Sequence, residues 1–201
     1  LDLDFMVPSE VRAGRLLPVD VADAAFLGDS SDKVLAFLEK GATIDARCPA
    51  RDDGTLLLAA AVGGQCKLTR LLLRRRADVT LSNSEGLSPL MGAAQQPDGA
   101  DVVDLLLGAG ASADATNPKD GATALLYAAE RGDVRAVLAL LRAGANPDAA
   151  KDDGGTALMA AAHTGRLDVV EALVGAHASV DKQNDEGATA LIGAAQQGHA
   201  A

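Results

Sequence analysis

The chain has 201 residues, of which 48% are hydrophobic and 2% aromatic, and 18 basic against 28 acidic side chains give it a net charge of −10. The acidic balance argues against a nucleic-acid partner, because proteins that bind nucleic acids normally present a basic patch. The absence of Trp, with a single Tyr, also argues against a platform for base stacking. Since no 18 consecutive residues are apolar, the sequence predicts no membrane insertion.

Residues 1–18 form the first segment and do not share the pattern of the rest. Apolar Leu1, Leu3, Phe5 and Val7 alternate with other residues at the period of a strand, and Pro8 ends the alternation. We interpret this segment as an N-terminal extended arm laid on a neighbouring element, or as a flexible leader.

Residues 19–50 predict two short helices, the first ending near Gly28 and the second at Gly41. After them the chain repeats one stretch, written most fully as Gly121-Ala-Thr-Ala-Leu-Leu-Tyr-Ala-Ala129. Its hydroxyl residue recurs with spacings of 33, 35, 33 and 33, at Thr55, Ser88, Thr123, Thr156 and Thr189. A fixed period in this range indicates stacked structural repeats, in which each unit buries its apolar face against the next.

Every full unit has the same parts in the same order. A Gly-containing turn leads to Thr or Ser, which can cap a first short helix that carries Leu and paired Ala. A loop with Gly and a second, Leu-rich helix follow, and the unit closes on a sequence such as Ala143-Gly144-Ala145. The paired alanines indicate close helix–helix contact, because a larger side chain there would overpack the stack.

The units resemble ankyrin repeats, whose pattern runs D-x-x-G-x-T-P-L-H-x-A-A-x-x-G-H…L-L-x-x-G-A-D, and the resemblance covers about residues 20–201. It implies an all-α fold, an ankyrin-repeat solenoid of stacked helix–turn–helix units with short β-hairpin fingers and a concave face that binds proteins. We expect an ankyrin-repeat domain over 19–201, with a degenerate capping repeat at 19–50, full repeats at 51–83, 84–117, 118–150 and 151–183, and a truncated repeat at 184–201.

Three departures from the family pattern carry predictions. Apolar residues replace every family His of the Pro-Leu-His element, which we interpret as structural drift. The left-handed Gly that closes the second helix is kept at Gly144 but replaced by Arg76 and His177, and each replacement should be strained. The third repeat has one extra residue in its loop at 95–100, and another in the finger at 115–120. These insertions are either a recognition feature or neutral loop variation.

No catalytic, cofactor or metal site is expected. The histidines, His163, His177 and His199, lie in different repeats, and no Ser, Cys or Thr has a nearby His in the setting of a nucleophile elbow. Cys48 and Cys66 lack the spacing of a zinc site, so we interpret them as thiols of a reducing compartment. We therefore expect a non-enzymatic intracellular protein, cytoplasmic in the simplest case, with the nucleus or an organelle left open.

The resemblance places partner contacts at the fingertips and just after the paired alanines. The residues carried over are Glu85, Leu87, Gln95, Gln96, Lys119, Asp120, Tyr127, Glu130, Arg131, Asp152, Asp153, His163 and Thr164. Acidic residues gather in the fingers, so an acidic rim either steers a basic segment of a partner or serves solubility alone. Tyr127 replaces an Ala or Gly found in the other repeats, either as a binding anchor or to fill a gap.

The function implied is that of a non-catalytic protein–protein interaction adaptor or scaffold, which binds its partner through the concave face. The alternative is a regulatory ankyrin module of a longer enzyme or channel polypeptide. The sequence stops where a further second helix should begin, from which we expect membership of a larger assembly or a longer chain.

Overall fold

The structure, a computed structural model, describes residues 16–28 and 31–199. The chain divides into two compact parts, Leu1–Pro89 and Leu90–Ala201, called here the N-terminal and C-terminal parts. Most of the arm expected at 1–18 lies outside the described residues. At the end of this segment, Leu16 makes a parallel bridge with Arg47, and the Leu17 amide donates to the Arg47 carbonyl at 2.8 Å.

The N-terminal part contains two helix pairs with a short finger between them. Among its described residues the elements are α1 (Val19–Leu27), α2 (Ser31–Glu39), β1 (Arg47–Cys48), a 3-10 turn (Pro49–Arg51), β2 (Gly54–Thr55), α3 (Leu56–Val62) and α4 (Cys66–Arg74). Strands β1 and β2 pair antiparallel. Helix α1 packs against α2 and α3, and α3 packs against α4, so α3 is covered both by the preceding pair and by its own second helix.

The C-terminal part repeats the helix pair. Helix α5 (Pro89–Ala94) begins at the last residue of the N-terminal part. After it come α6 (Ala100–Gly108), α7 (Ala124–Arg131), α8 (Val134–Arg142), α9 (Ala157–His163), α10 (Leu167–Gly175) and α11 (Ala190–Gln196). The first helices α7, α9 and α11 pack side by side, and the second helices α6, α8 and α10 form the neighbouring row. The three first helices therefore present one shared face.

The recurring threonines and alanines have the structural roles that the sequence predicts. The Thr55, Thr123, Thr156 and Thr189 hydroxyls each accept from the amide three residues later at 3.3 Å, which confirms the predicted capping of the first helices. The predicted close contact at the paired alanines is confirmed as well, because Ala128 and Ala129 are completely buried. Small side chains thus set the distance between adjacent first helices.

The residue that closes the second helix has a left-handed backbone conformation, whether it is glycine or not. Gly144 has φ 90°, while Arg76 and His177 adopt φ 64° and 65°, as the pattern predicted. A side chain with a Cβ is disfavoured in this region, since the Cβ approaches the following carbonyl oxygen.

His177→Gly is therefore expected to stabilise the protein by about 1 kcal/mol, because glycine adopts this conformation without strain. Gly144→Ala, the matched reverse change in the preceding repeat, should destabilise it by a similar amount. Urea unfolding of both variants measures the effect. A His177→Gly variant less stable than the parent protein would contradict the explanation.

The finger of the third repeat is longer, as expected. The Asn117 amide donates to the Ala122 carbonyl, five residues on, at 2.8 Å. In the next finger the corresponding bond, from the Lys151 amide to the Gly155 carbonyl, spans four residues. The extra residue is thus absorbed within the turn.

Aspartates in the loops after the second helices join neighbouring repeats. The Asp148 carboxylate accepts from the Ser179 amide at 2.8 Å and from the Ser179 hydroxyl at 2.6 Å. The Asp114 carboxylate likewise accepts from the Asn146 amide at 2.7 Å. The Ser179 hydroxyl, followed by its amide, holds the pKa of Asp148 below its ordinary value.

The Asp148–Ser179 link should make stability depend on pH. Because the folded-state pKa of Asp148 is depressed, its contribution is present above the unfolded-state value of about 3.9 and is lost as the pH falls through the folded-state pKa. Ser179→Ala should destabilise the protein at pH 7 and do so less at pH 3. Asp181→Ala, a change of an exposed carboxylate in the same loop, is the control for urea unfolding at both pH values. An equal loss of stability in Ser179→Ala at both pH values would show that the link does not depend on the ionised Asp148 carboxylate.

Candidate partner-binding groove

A groove of about 500 Å³ runs across the shared face of α7, α9 and α11 in the C-terminal part. The fingers that precede α9 and α11 supply its other side. We call it the acidic groove. Its lining residues are Leu126, Glu130, Lys151, Asp153, Gly155, Thr156, Met159, Ala160, His163, Thr164, Asn184, Glu186, Ala188, Thr189, Gly193 and Gln196.

Small residues keep the floor of the acidic groove open. Ala160 and Gly193 occupy the same register of their repeats, 33 residues apart, and Tyr127 stands at that register one repeat earlier. A Cβ at Gly193 would meet only the His163 Cβ, at 3.9 Å. Tyr127 is half-buried and is not part of the lining.

Hydrogen bonds hold the finger side of the groove in place. The Asn184 side-chain oxygen accepts from the amides of Glu186 at 3.1 Å and Ala188 at 2.8 Å, which closes the turn. The Asp185 amide donates to the Asp153 carbonyl at 3.0 Å and so ties this finger to the preceding one. The groove therefore has a preformed wall as well as a helical floor.

Three carboxylates and one ammonium line the groove, for a net charge of −2 from Glu130, Asp153, Glu186 and Lys151. Lys151 forms an ion pair with Asp153 at 3.2 Å, which raises the pKa of Lys151. The Gly155 amide, more than Lys151, lowers the pKa of Asp153. The one cation is thus held by Asp153, and the groove has an excess of negative charge.

The α9 end of the groove carries polar groups that are held by hydrogen bonds. His163 lies at the last position of α9, and the His199 Nε2 lies 3.1 Å from its carbonyl oxygen. The Thr164 hydroxyl donates to the Ala160 carbonyl at 2.8 Å, back into the helix. These bonds fix the end of α9.

Comparison with protein families agrees with this architecture. A family model of ankyrin repeats, three copies long, matches residues 22–117, 90–184 and 125–201. The chain belongs to the ankyrin-repeat family. Ankyrin repeats are generally protein–protein interaction modules. The search of curated proteins finds no match for this chain.

Part of the expected contact set lies together on this ankyrin face. Glu130, Asp153, His163 and Thr164 line the acidic groove. Leu87 instead lines a smaller groove of about 220 Å³ in the N-terminal part, beside Phe26, Leu58 and Val62. The remaining members are outside the lining of both grooves: Glu85, Gln95, Gln96, Lys119, Asp120, Tyr127, Arg131 and Asp152.

Two of those outer residues support the fingers. The Asp152 amide donates to the Asp120 carbonyl at 2.9 Å, so both help to align adjacent ankyrin fingers. Conversely, sequence reasoning missed Leu126, Lys151 and Met159 as groove residues. No signal in the sequence marked these three residues, because the set of side chains that faces one space between three helices depends on how the helices pack.

Within residues 16–28 and 31–199, no group of three or more His, Cys, Asp or Glu could hold a metal ion. In those ranges, too, no helix has the length and apolar character to cross a membrane. Cys48 is buried, and this burial raises the pKa of its thiol, which disfavours the reactive thiolate.

Proposed function

We propose that the protein is a non-catalytic adaptor or scaffold that holds a segment of a partner protein in the acidic groove. The observation that carries the proposal is the open floor at Ala160 and Gly193, within a groove whose walls are already held by hydrogen bonds. Such a preformed surface binds a partner without the entropic penalty of ordering itself first. We place this activity inside the cell, where thiols such as Cys48 and Cys66 stay reduced.

The charge of the groove favours a partner with a basic segment. The lining carries a net −2 and the whole chain −10, so a basic segment is attracted during approach and an acidic one is repelled. In this proposal the acidic fingers contribute to recognition and not to solubility alone.

Capture from a cell extract tests the site when wild type is compared with a blocked groove. Ala160→Tyr copies onto α9 the side chain that α7 carries at Tyr127, and should fill the groove while α9 stays folded. Glu171→Tyr adds the same side chain at an exposed position of α10, outside the groove. We expect proteins retained by the wild type and by Glu171→Tyr to be lost by Ala160→Tyr. Retention of the same proteins by all three would place binding elsewhere.

Steering by charge is tested with a partner obtained in this way. Asp152→Lys together with Glu186→Lys reverses two exposed finger charges and leaves the Asp153–Gly155 hydrogen bond intact. Association should slow at low salt, and the difference from wild type should shrink at high salt. An unchanged association rate would leave the acidic residues with a solubility role only.

A further inference from the structure

We propose that the acidic groove recognises one arginine or lysine side chain of its partner. The stem of that side chain lies on Leu126, Met159 and Ala160, and its cation lies between Glu130 and Glu186. This inference rests on the proposed function and specifies the chemistry of the same site.

The floor of the groove suits the aliphatic stem of a long basic side chain. Leu126 is 7% exposed, and Met159 and Ala160 are half-buried beside it. Arginine and lysine cover apolar surface with their methylene groups while the charged head stays at a polar edge. A side chain of this kind is therefore complementary to an apolar floor with a charged rim.

The two carboxylates come from opposite sides of that floor. Glu130 belongs to α7, and Glu186 lies in the finger that leads into α11. Helices α7 and α11 both pack against α9, which carries Met159 and Ala160. A cation on the α9 floor is thus flanked by Glu130 on one side and Glu186 on the other.

The protein's own cation in the groove does not take this place. Lys151 is bonded to Asp153 at 3.2 Å, in the finger before α9. Among the ion pairs of the described residues, none includes Glu130 or Glu186. The charge of Glu130 acts on Lys151 without forming an ion pair with it, so both carboxylates can still accept hydrogen bonds from a positively charged group of a partner.

Charge decides between the possible occupants of the groove. A neutral or acidic segment would cover Glu130 and Glu186 and remove their water without supplying a counter-charge, which is unfavourable. An arginine or lysine replaces that water with charge-assisted hydrogen bonds. The groove should therefore discriminate by charge at one position of the bound segment.

Nuclear magnetic resonance titration with two short synthetic peptides tests the inference. One peptide has a central arginine flanked by alanine and serine, and the other has citrulline, which keeps the shape but has no charge. At millimolar concentration the arginine peptide should shift the amide signals of Gly155, Ala160 and Gly193. The citrulline peptide should bind at least about tenfold more weakly, as expected for the loss of a charged hydrogen bond.

The variants assign the effect to the two carboxylates. Glu130→Gln combined with Glu186→Gln should remove the difference between arginine and citrulline, whereas Glu171→Gln, the same chemical change on α10, should preserve it. Equal binding of the two peptides by wild type, or no shift in the groove, would overturn the inference. If a captured partner is lost by Ala160→Tyr but kept at wild-type affinity by the double Gln variant, the proposed function stands and this inference fails.

Discussion

Asp133→Ala is expected to destabilise the protein by about 2–4 kcal/mol. The substitution removes a helix cap, and it also leaves a second, buried amide without its hydrogen-bond acceptor. Asp133 is 8% exposed. Its Oδ1 accepts from the Ala136 amide at 3.1 Å and caps α8. Its Oδ2 accepts from the Ala100 amide at 3.2 Å, at the start of α6. One carboxylate therefore closes the N-termini of two adjacent helices.

Urea unfolding at neutral pH measures this effect. Asp133→Asn keeps one side-chain oxygen for one of the two amides, so it should lose about half as much stability. Asp101→Ala removes a carboxylate of the same size that pairs with Arg135 on the surface, where ion pairs contribute little. It should stay close to wild type. An unfolding midpoint of Asp133→Ala equal to that of Asp101→Ala would contradict the bridging role.

Gly99→Ala is expected to destabilise the protein by about 3 kcal/mol or more, because the new methyl group meets the backbone. A Cβ at Gly99 would lie 2.0 Å from the Ala93 carbonyl oxygen and 3.0 Å from its carbon. The backbone of Gly99, with φ −74° and ψ −12°, is itself acceptable for alanine. The expected loss therefore comes from contacts with the backbone, since the Gln96 carbonyl oxygen would also lie 3.2 Å from the new methyl group.

Gly108→Ala provides the matched control at the other end of α6. A Cβ at Gly108 would meet nothing within 4 Å, and the residue is exposed. Alanine favours the helix, so this variant should equal or exceed wild type by up to about 1 kcal/mol. Circular dichroism during urea unfolding measures both variants. Equal stability of Gly99→Ala and Gly108→Ala would show that the chain around Ala93 moves aside freely.

Features set by local backbone requirements could be read from the sequence. Thr123 precedes a helix because its hydroxyl accepts from an amide three residues later, and this need recurs with the repeat. The left-handed turn at His177 was predictable because Gly144 stands at the same place one repeat earlier. Periodicity transfers such local constraints from one repeat to the next.

Features that depend on contacts between distant residues could not be read in the same way. Asp133 has the spacing of a helix cap, but its bond to the Ala100 amide joins residues 33 apart and requires the packed helices. The groove likewise depends on which side chains of three helices face one space. Ala160 and Tyr127 share a register, yet only the folded arrangement shows that one lines the groove and the other does not.

The most direct test of partner binding in the acidic groove is site-specific photo-crosslinking in a cell extract. A photoreactive amino acid at Met159, on the groove floor, should yield a covalent adduct with a partner protein. The same amino acid at Glu171, on the exposed side of α10, should yield none. Adducts formed from position 171 and absent from position 159 would contradict the account.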